Sequence, residues 1–204
     1  KFFKDSGYKV LGVDPALNIK KSVPTVEDFF SEKLARKIRK EKGLAKVVMG
    51  NNVIAHINDH HDLVRGLDAL LVDDGVFVFE APYLLDMFDN LAYDTIYHEH
   101  LSCLSLAPLV KLFGLYGLYV FDVKLFSVQG QSLRVWVSRP GRYPISKRVG
   151  ELLALEKEMG FGKARTYNSL SKRIGKSRDK LSGLLKKLKG QGKSIAVYGA
   201  SARG

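Results

Sequence analysis

Along the first half of the chain, short apolar runs alternate with amphipathic stretches. Residues 8–13 form an apolar run after Gly7 that stops at Asp14-Pro15, where proline ends a strand. Across residues 31–42, Leu34 and Ile38 recur at helical spacing among charges, with Ser31 placed as the N-cap and Gly43 as the stop. A second strand is expected at 46–50. A helix is expected at 60–72, with Leu63, Leu67, Leu70 and Leu71 on one face. The run 75–79 is a third strand, closing at Glu80. Strands alternating with helices of this length predict βαβ units in an α/β, doubly wound, mostly parallel sheet.

The second half is patterned differently. A helix is expected at 107–116, then strands at 118–126 and 133–138 joined by a turn at 127–131, which reads as an antiparallel hairpin on the sheet edge. From 148 to 190 the chain turns helical and basic, and 194–198 reads as the first strand of another α/β unit. The expected division is an α/β domain at 1–140, a helical connector at 141–193 and the start of a second α/β domain at 194–204. The chain begins at Lys1 and stops at Gly204 just after a strand-like run, as a piece cut at both ends would.

Charge changes the picture by its placement. The formal charge is +12, and residues 140–204 hold sixteen Lys/Arg against four Asp/Glu, which accounts for the whole excess. Residues 50–110 carry Arg65 alone against ten acids. Enzymes that act on duplex nucleic acid bring basic surface to the chemistry, and here the two are separated. A small-molecule site is the expectation, with no nucleic-acid partner. No apolar run is long enough to cross a bilayer. The single Cys103 excludes an internal disulfide framework and builds no zinc site alone, so a reducing, cytoplasmic setting is expected.

The densest acid–base chemistry lies in Tyr97-His98-Glu99-His100. Imidazole titrates near neutral pH, and a neighbouring carboxylate can orient it and raise its basicity. Buried without purpose, such a string is costly. Ligands of open α/β sheets bind at the carboxyl ends of strands, where Asp14, Asn51-Asn52 and Glu80 stand. A carboxylate there accepts both hydroxyls of a ribose; equally, Asp14 can start a turn with Pro15. His56 follows a strand end and faces the same cleft, as a structural hydrogen-bonder or a catalyst. His60 and His61 open a helix as surface residues or caps. The spacing of these histidines matches no metal motif, and no metal site is expected.

Together these strings resemble the S-adenosylmethionine-dependent sugar C-methyltransferases that act on nucleotide-linked keto-deoxysugars. The matching strings are Gly12-Val13-Asp14-Pro15, Asp28-Phe29-Phe30, Asn51-Asn52-Val53-Ile54-Ala55-His56, residues 94–102 around the Tyr-His-Glu-His, Ser132-Leu133-Arg134-Val135 and Tyr198-Gly199-Ala200-Ser201-Ala202. They run in order through nearly the whole chain. The resemblance implies a Rossmann-like class I methyltransferase sheet, S-adenosyl-L-methionine as cofactor and a nucleotide-linked keto sugar as substrate, with the oligomeric state open. A family zinc region would precede Lys1, and most of the C-terminal domain would follow Gly204. By motif, Asp14 would take the cofactor ribose, Asp28 would lie near the adenine, and Asn51 and Asn52 would line the cofactor side. His100, held by Glu99, would be the base that removes the proton beside the sugar ketone; Tyr97 and His56 would stabilise the enolate oxygen or relay protons. Gln129-Gly130-Gln131 stands where the family usually has His-Gly-Gly.

Two other readings compete. Gly199–Gly204 follows a strand-like run with the glycine interval of a phosphate-binding P-loop, and the same string could open a dinucleotide fold. Residues 163–193 could be a basic module for nucleic acid or an acidic partner. Its Leu170, Ile174, Leu181, Leu184, Leu185 and Leu188 read instead as the buried face of an amphipathic helix.

Overall fold

A computed structural model describes residues 2–17, 21–126 and 131–197. After a short helix α1 (Phe2–Asp5), the chain forms β1 (Gly12–Val13), β2 (Thr25–Val26), α2 (Glu32–Lys42), β3 (Ala45–Asn51), α3 (His60–Leu70) and β4 (Leu71–Pro82). It continues with α4 (Leu84–Asp89), α5 (Leu106–Gly114), β5 (Tyr119–Phe126), β6 (Ser132–Ser138), α6 (Lys147–Met159) and α7 (Ala164–Gly190). β1 and β2 pair in parallel as a small sheet. The larger sheet runs β3-β4-β6-β5, with β3 and β4 parallel and β6 inserted antiparallel between β4 and β5. The expected α/β architecture with an antiparallel edge hairpin is present.

Local chemistry explains the elements. The Ser31 side chain accepts from the Leu34 N–H, and the Gly43 N–H closes α2 on the Arg39 carbonyl, so the cap and stop read from the sequence are both in place. α3 starts under Asp59, whose carboxylate accepts from the Asp62 N–H. Gly66 on α3 is where the Phe30 ring and the Ser31 backbone come close: a Cβ there would lie 2.9 Å from the ring and 3.2 Å from the Ser31 carbonyl. The main core stacks Phe77 and Phe79 of β4 against Phe113 of α5, with Val135 and Val137 fully buried from β6.

The first strand is shorter than its apolar run. Of residues 8–13, Gly12 and Val13 alone pair, because β2 offers just two residues as partner. The strand expected at 194–198 does not form over 194–197; Val197 is 91% exposed, and no strand of the described residues lies beside it to complete its backbone hydrogen bonds. Residue 198, the Gly199–Gly204 string and all of the hairpin turn except Gln131 lie outside the described residues.

The region expected to be a connector is in part core. α6 buries Val149 and Leu152, and α7 buries Leu170, all in the same cluster as β4 and β6; α6 also buries the charged Glu156. Packing thus continues past 140. Further along α7 the expected buried face is open, with Leu181, Leu184 and Leu185 at 57%, 52% and 38% exposure, because no element of the described residues lies against them. No helix of the described residues is long and apolar enough to cross a membrane.

Candidate active site

The segment after α4 passes over the carboxyl end of β3 and β4 and is tied down at several points. Leu101 and Ser102 donate their N–H groups to the Ala55 carbonyl at 2.8 and 3.2 Å, and Leu104 bridges to Tyr83 at the end of β4. Residues Ile54–His56 form a 3-10 turn directly after β3. His60 holds that turn, its Nε2 lying 2.9 Å from the Ile54 carbonyl, which can only accept; the imidazole therefore donates. These ties bring the His56 and His100 rings edge to face, 4.9 Å between centroids.

Residues Tyr97–His100 form a tight turn closed by the His100 N–H on the Tyr97 carbonyl at 2.9 Å. A turn brings its first and fourth residues together and puts the middle two at its tip. Tyr97 and His100 accordingly meet, the phenol oxygen 3.2 Å from His100 Nε2. His98 and Glu99 are exposed and 3.9 Å from each other. This corrects the expectation that Glu99 holds His100. The His100 Nδ1 is instead 2.8 Å from the Thr95 carbonyl. A carbonyl has no proton to give, so Nδ1 carries the hydrogen and Nε2 is the basic nitrogen, receiving the Tyr97 hydroxyl proton as a hydrogen bond.

The residues expected on the cofactor side sit at the ends of parallel strands. Asp14 follows β1; its N–H donates to the Val26 carbonyl, and its Oδ1 accepts from the Ala16 N–H at 2.8 Å. The turn reading of Asp14 is therefore realised. A carboxylate has about four acceptor positions, so one turn bond leaves capacity for a diol. Asp28 follows β2 and accepts from the Phe29 N–H at 2.8 Å. Asn51 ends β3 and Asn52 turns out of it with a φ of 54°, its N–H held by the Glu80 carbonyl at 2.7 Å. From Asn52 to His56 is four residues, a span of at most about 14 Å. The structure thus gathers His56, Tyr97 and His100 into one cluster, with Asn51 and Asn52 one turn away and Asp14 and Asp28 on the smaller sheet.

Several features were not readable as parts of the site. Glu80 is no free acceptor at a strand end. Antiparallel register sets it opposite Arg134, their charged groups lie 2.7 Å apart, and the guanidinium covers the Phe126 ring at 4.1 Å. Both residues were visible, but the strand register that pairs them was not. The buried Glu156 of α6 accepts from the N–H groups of Leu106 and Ala107 at the start of α5 and from the Tyr83 hydroxyl. Burial pushes the Tyr83 phenol well above its ordinary range, helped by the hydrogen bond to Glu156 and that residue's charge. Cys103 lines the cavity beside His100; its thiol is raised by partial burial and so stays protonated near neutral pH. No group of His, Cys, Asp or Glu among the described residues is arranged to hold a metal ion.

Comparison with known proteins extends these observations. A family model described as a methyltransferase domain matches residues 1–123, and one described as the C-methyltransferase C-terminal domain matches 127–204. The curated C-methyltransferase NovU of Streptomyces niveus is 36% identical over 100% of this chain and 50% of its own length. The chain therefore spans about half the length of that relative. Solved structures include a SAM-dependent methyltransferase from Anabaena variabilis ATCC 29413, 15% identical with a TM-score of 0.49, covering 67% of this chain and 71% of that one. Another is the magnesium protoporphyrin IX methyltransferase of Synechocystis PCC 6803 with bound SAH, at 15%, 0.47, and 66% of each chain. The chain belongs to the methyltransferase family, its later residues matching the C-terminal domain of the C-methyltransferases.

Proposed function

We propose that the protein containing this chain is a cytoplasmic, S-adenosylmethionine-dependent C-methyltransferase acting on a nucleotide-linked keto-deoxysugar. The observation that carries this reading is the fixed tautomer of His100: the Thr95 carbonyl holds the proton on Nδ1 and leaves Nε2 as a base. The residues at the strand ends fit the cofactor. Asp14 has acceptor capacity for its ribose hydroxyls, Asp28 would take the adenine side, and Asn51 and Asn52 would line the cofactor side. When bound, the cofactor supplies an electrophilic methyl group on a sulfonium.

A C–H beside a ketone is too weak an acid for an unassisted imidazole. Each hydrogen bond to the developing oxyanion contributes about 3–4 kcal/mol in comparable sites, so base and donors must work together. In this cluster they are coupled. Nε2 of His100 has one lone pair, so it takes the substrate proton once the Tyr97 hydroxyl has turned from it to the ketone oxygen. That hydroxyl donates to the oxygen as the enolate develops, with His56 in ring contact with His100 completing that side. A hydroxyl substrate is already a nucleophile and requires less of this machinery, which favours methylation at carbon. The test uses the full-length protein with S-adenosylmethionine and a nucleotide-linked 4-keto sugar. Methyl should be found on carbon beside the ketone, and His100→Ala should lower transfer by at least about 10³-fold. Methyl on oxygen, or an active His100→Ala, would remove the proposal.

A further inference from the structure

Beside the histidine cluster lies a small cavity of about 20 Å³, room for one hydroxyl-sized group, whose lining includes Tyr83, Asp86, Thr95, His100, Cys103 and Gln131. The Gln131 carboxamide oxygen is buried and has no hydrogen-bond partner. Buried polar atoms are nearly always paired, so such an acceptor marks a place where a donor belongs. The main chain at this position is fixed, because the Gln131 carbonyl accepts from the Tyr83 N–H at 3.1 Å just where β4 and β6 finish pairing. A second acceptor borders the same space: Asp86 is 6% exposed, and one carboxylate oxygen takes the Asn90 amide. Among the described residues no ion pair reaches Asp86. An amide oxygen and a carboxylate ask for donors and repel anions, so this wall suits hydroxyl groups and not a phosphate.

We propose that Gln131 binds a ring hydroxyl of the substrate through its carboxamide oxygen, in the cavity that holds His100. This rests on the reading of the His100 cluster as the sugar site, with the cavity taking one hydroxyl of the bound ring in the space of a single water. Gln131 thereby selects sugars that keep the hydroxyl, since a deoxy analogue leaves the buried acceptor unpaired. The alternative partner is a trapped water with no part in binding.

The experiment uses the full-length protein, S-adenosylmethionine, a nucleoside-diphosphate-linked 4-keto sugar, and analogues with each ring hydroxyl in turn replaced by hydrogen. Loss of one neutral hydrogen bond corresponds to about tenfold in binding, so Gln131→Met should raise KM about tenfold for the parent sugar. At saturating substrate, kcat should stay within about twofold, because the interaction is made equally in the ground and transition states. For one deoxy analogue the wild-type enzyme should show the same rise and Gln131→Met no further loss. An unchanged KM in Gln131→Met, or equal losses for every analogue, would overturn the proposal in favour of a trapped water or a shape effect. Wild-type indifference to every deoxy analogue would overturn it even if the Met variant failed to fold. A wild-type enzyme inactive on the parent sugar sinks the sugar reading itself, and this inference with it.

Discussion

The catalytic proposal turns on one backbone oxygen. Because the Thr95 carbonyl fixes the proton on His100 Nδ1, the basic nitrogen faces the Tyr97 hydroxyl, and the two act as a pair. Tyr97→Phe keeps the ring and removes the donor. In steady-state assays of the full-length enzyme it should lower kcat by about 10²-fold with little change in KM, since the donor works in the transition state. An unaltered kcat would show that the hydroxyl has no part in the step. The Tyr-His-Glu-His string was legible in the sequence as a concentration of proton-transfer groups, but its internal roles were not. Adjacency suggested Glu99 as the partner of His100. The turn places residues 97 and 100 together and leaves 98 and 99 at its tip, and nothing in side-chain chemistry marks Thr95 as the orienting group.

Helix placement was readable wherever a cap or an apolar face announced it, as with Ser31 and Gly43 around α2. The junction of α5 with α6 was not, because Glu156 is a charged residue in a basic stretch and its partners are fifty and seventy-three residues away. Glu156→Ala would leave two amide donors and the Tyr83 hydroxyl unpaired, and should cost about 2–4 kcal/mol in urea unfolding. The Tyr83 phenol carries a pH signature. Its folded pKa lies above the unfolded value of about 10, so its contribution is complete below that pH and fades as pH rises past it. Tyr83→Phe should flatten the loss of stability above about pH 10, measured by thermal melts across the alkaline range. α7 offers a contrast along one helix. Leu170→Ala should cost about 2–5 kcal/mol, and Leu184→Ala at half exposure no more than about 0.5 kcal/mol. Equal costs would mean that a covering surface protects Leu184.

At the scale of the whole molecule, the segregation of charge matches the placement of chemistry. The acidic stretch 50–110 carries the histidine cluster, while the basic excess lies in the region of α6 and α7, whose charged side chains are largely exposed. The alternation of strands and helices made the α/β class and the edge hairpin legible. Strand order was beyond the sequence, since β6 enters between β4 and β5 through register that apolar patterning does not encode. The central claim is that His100 removes a proton from carbon beside a ketone. Its most direct measurement is solvent deuterium exchange into a nucleotide-linked 4-keto sugar, followed by mass spectrometry on the full-length enzyme. The wild type should incorporate deuterium at the carbon next to the ketone and His100→Ala should not; exchange at the wild-type rate in His100→Ala would contradict the account.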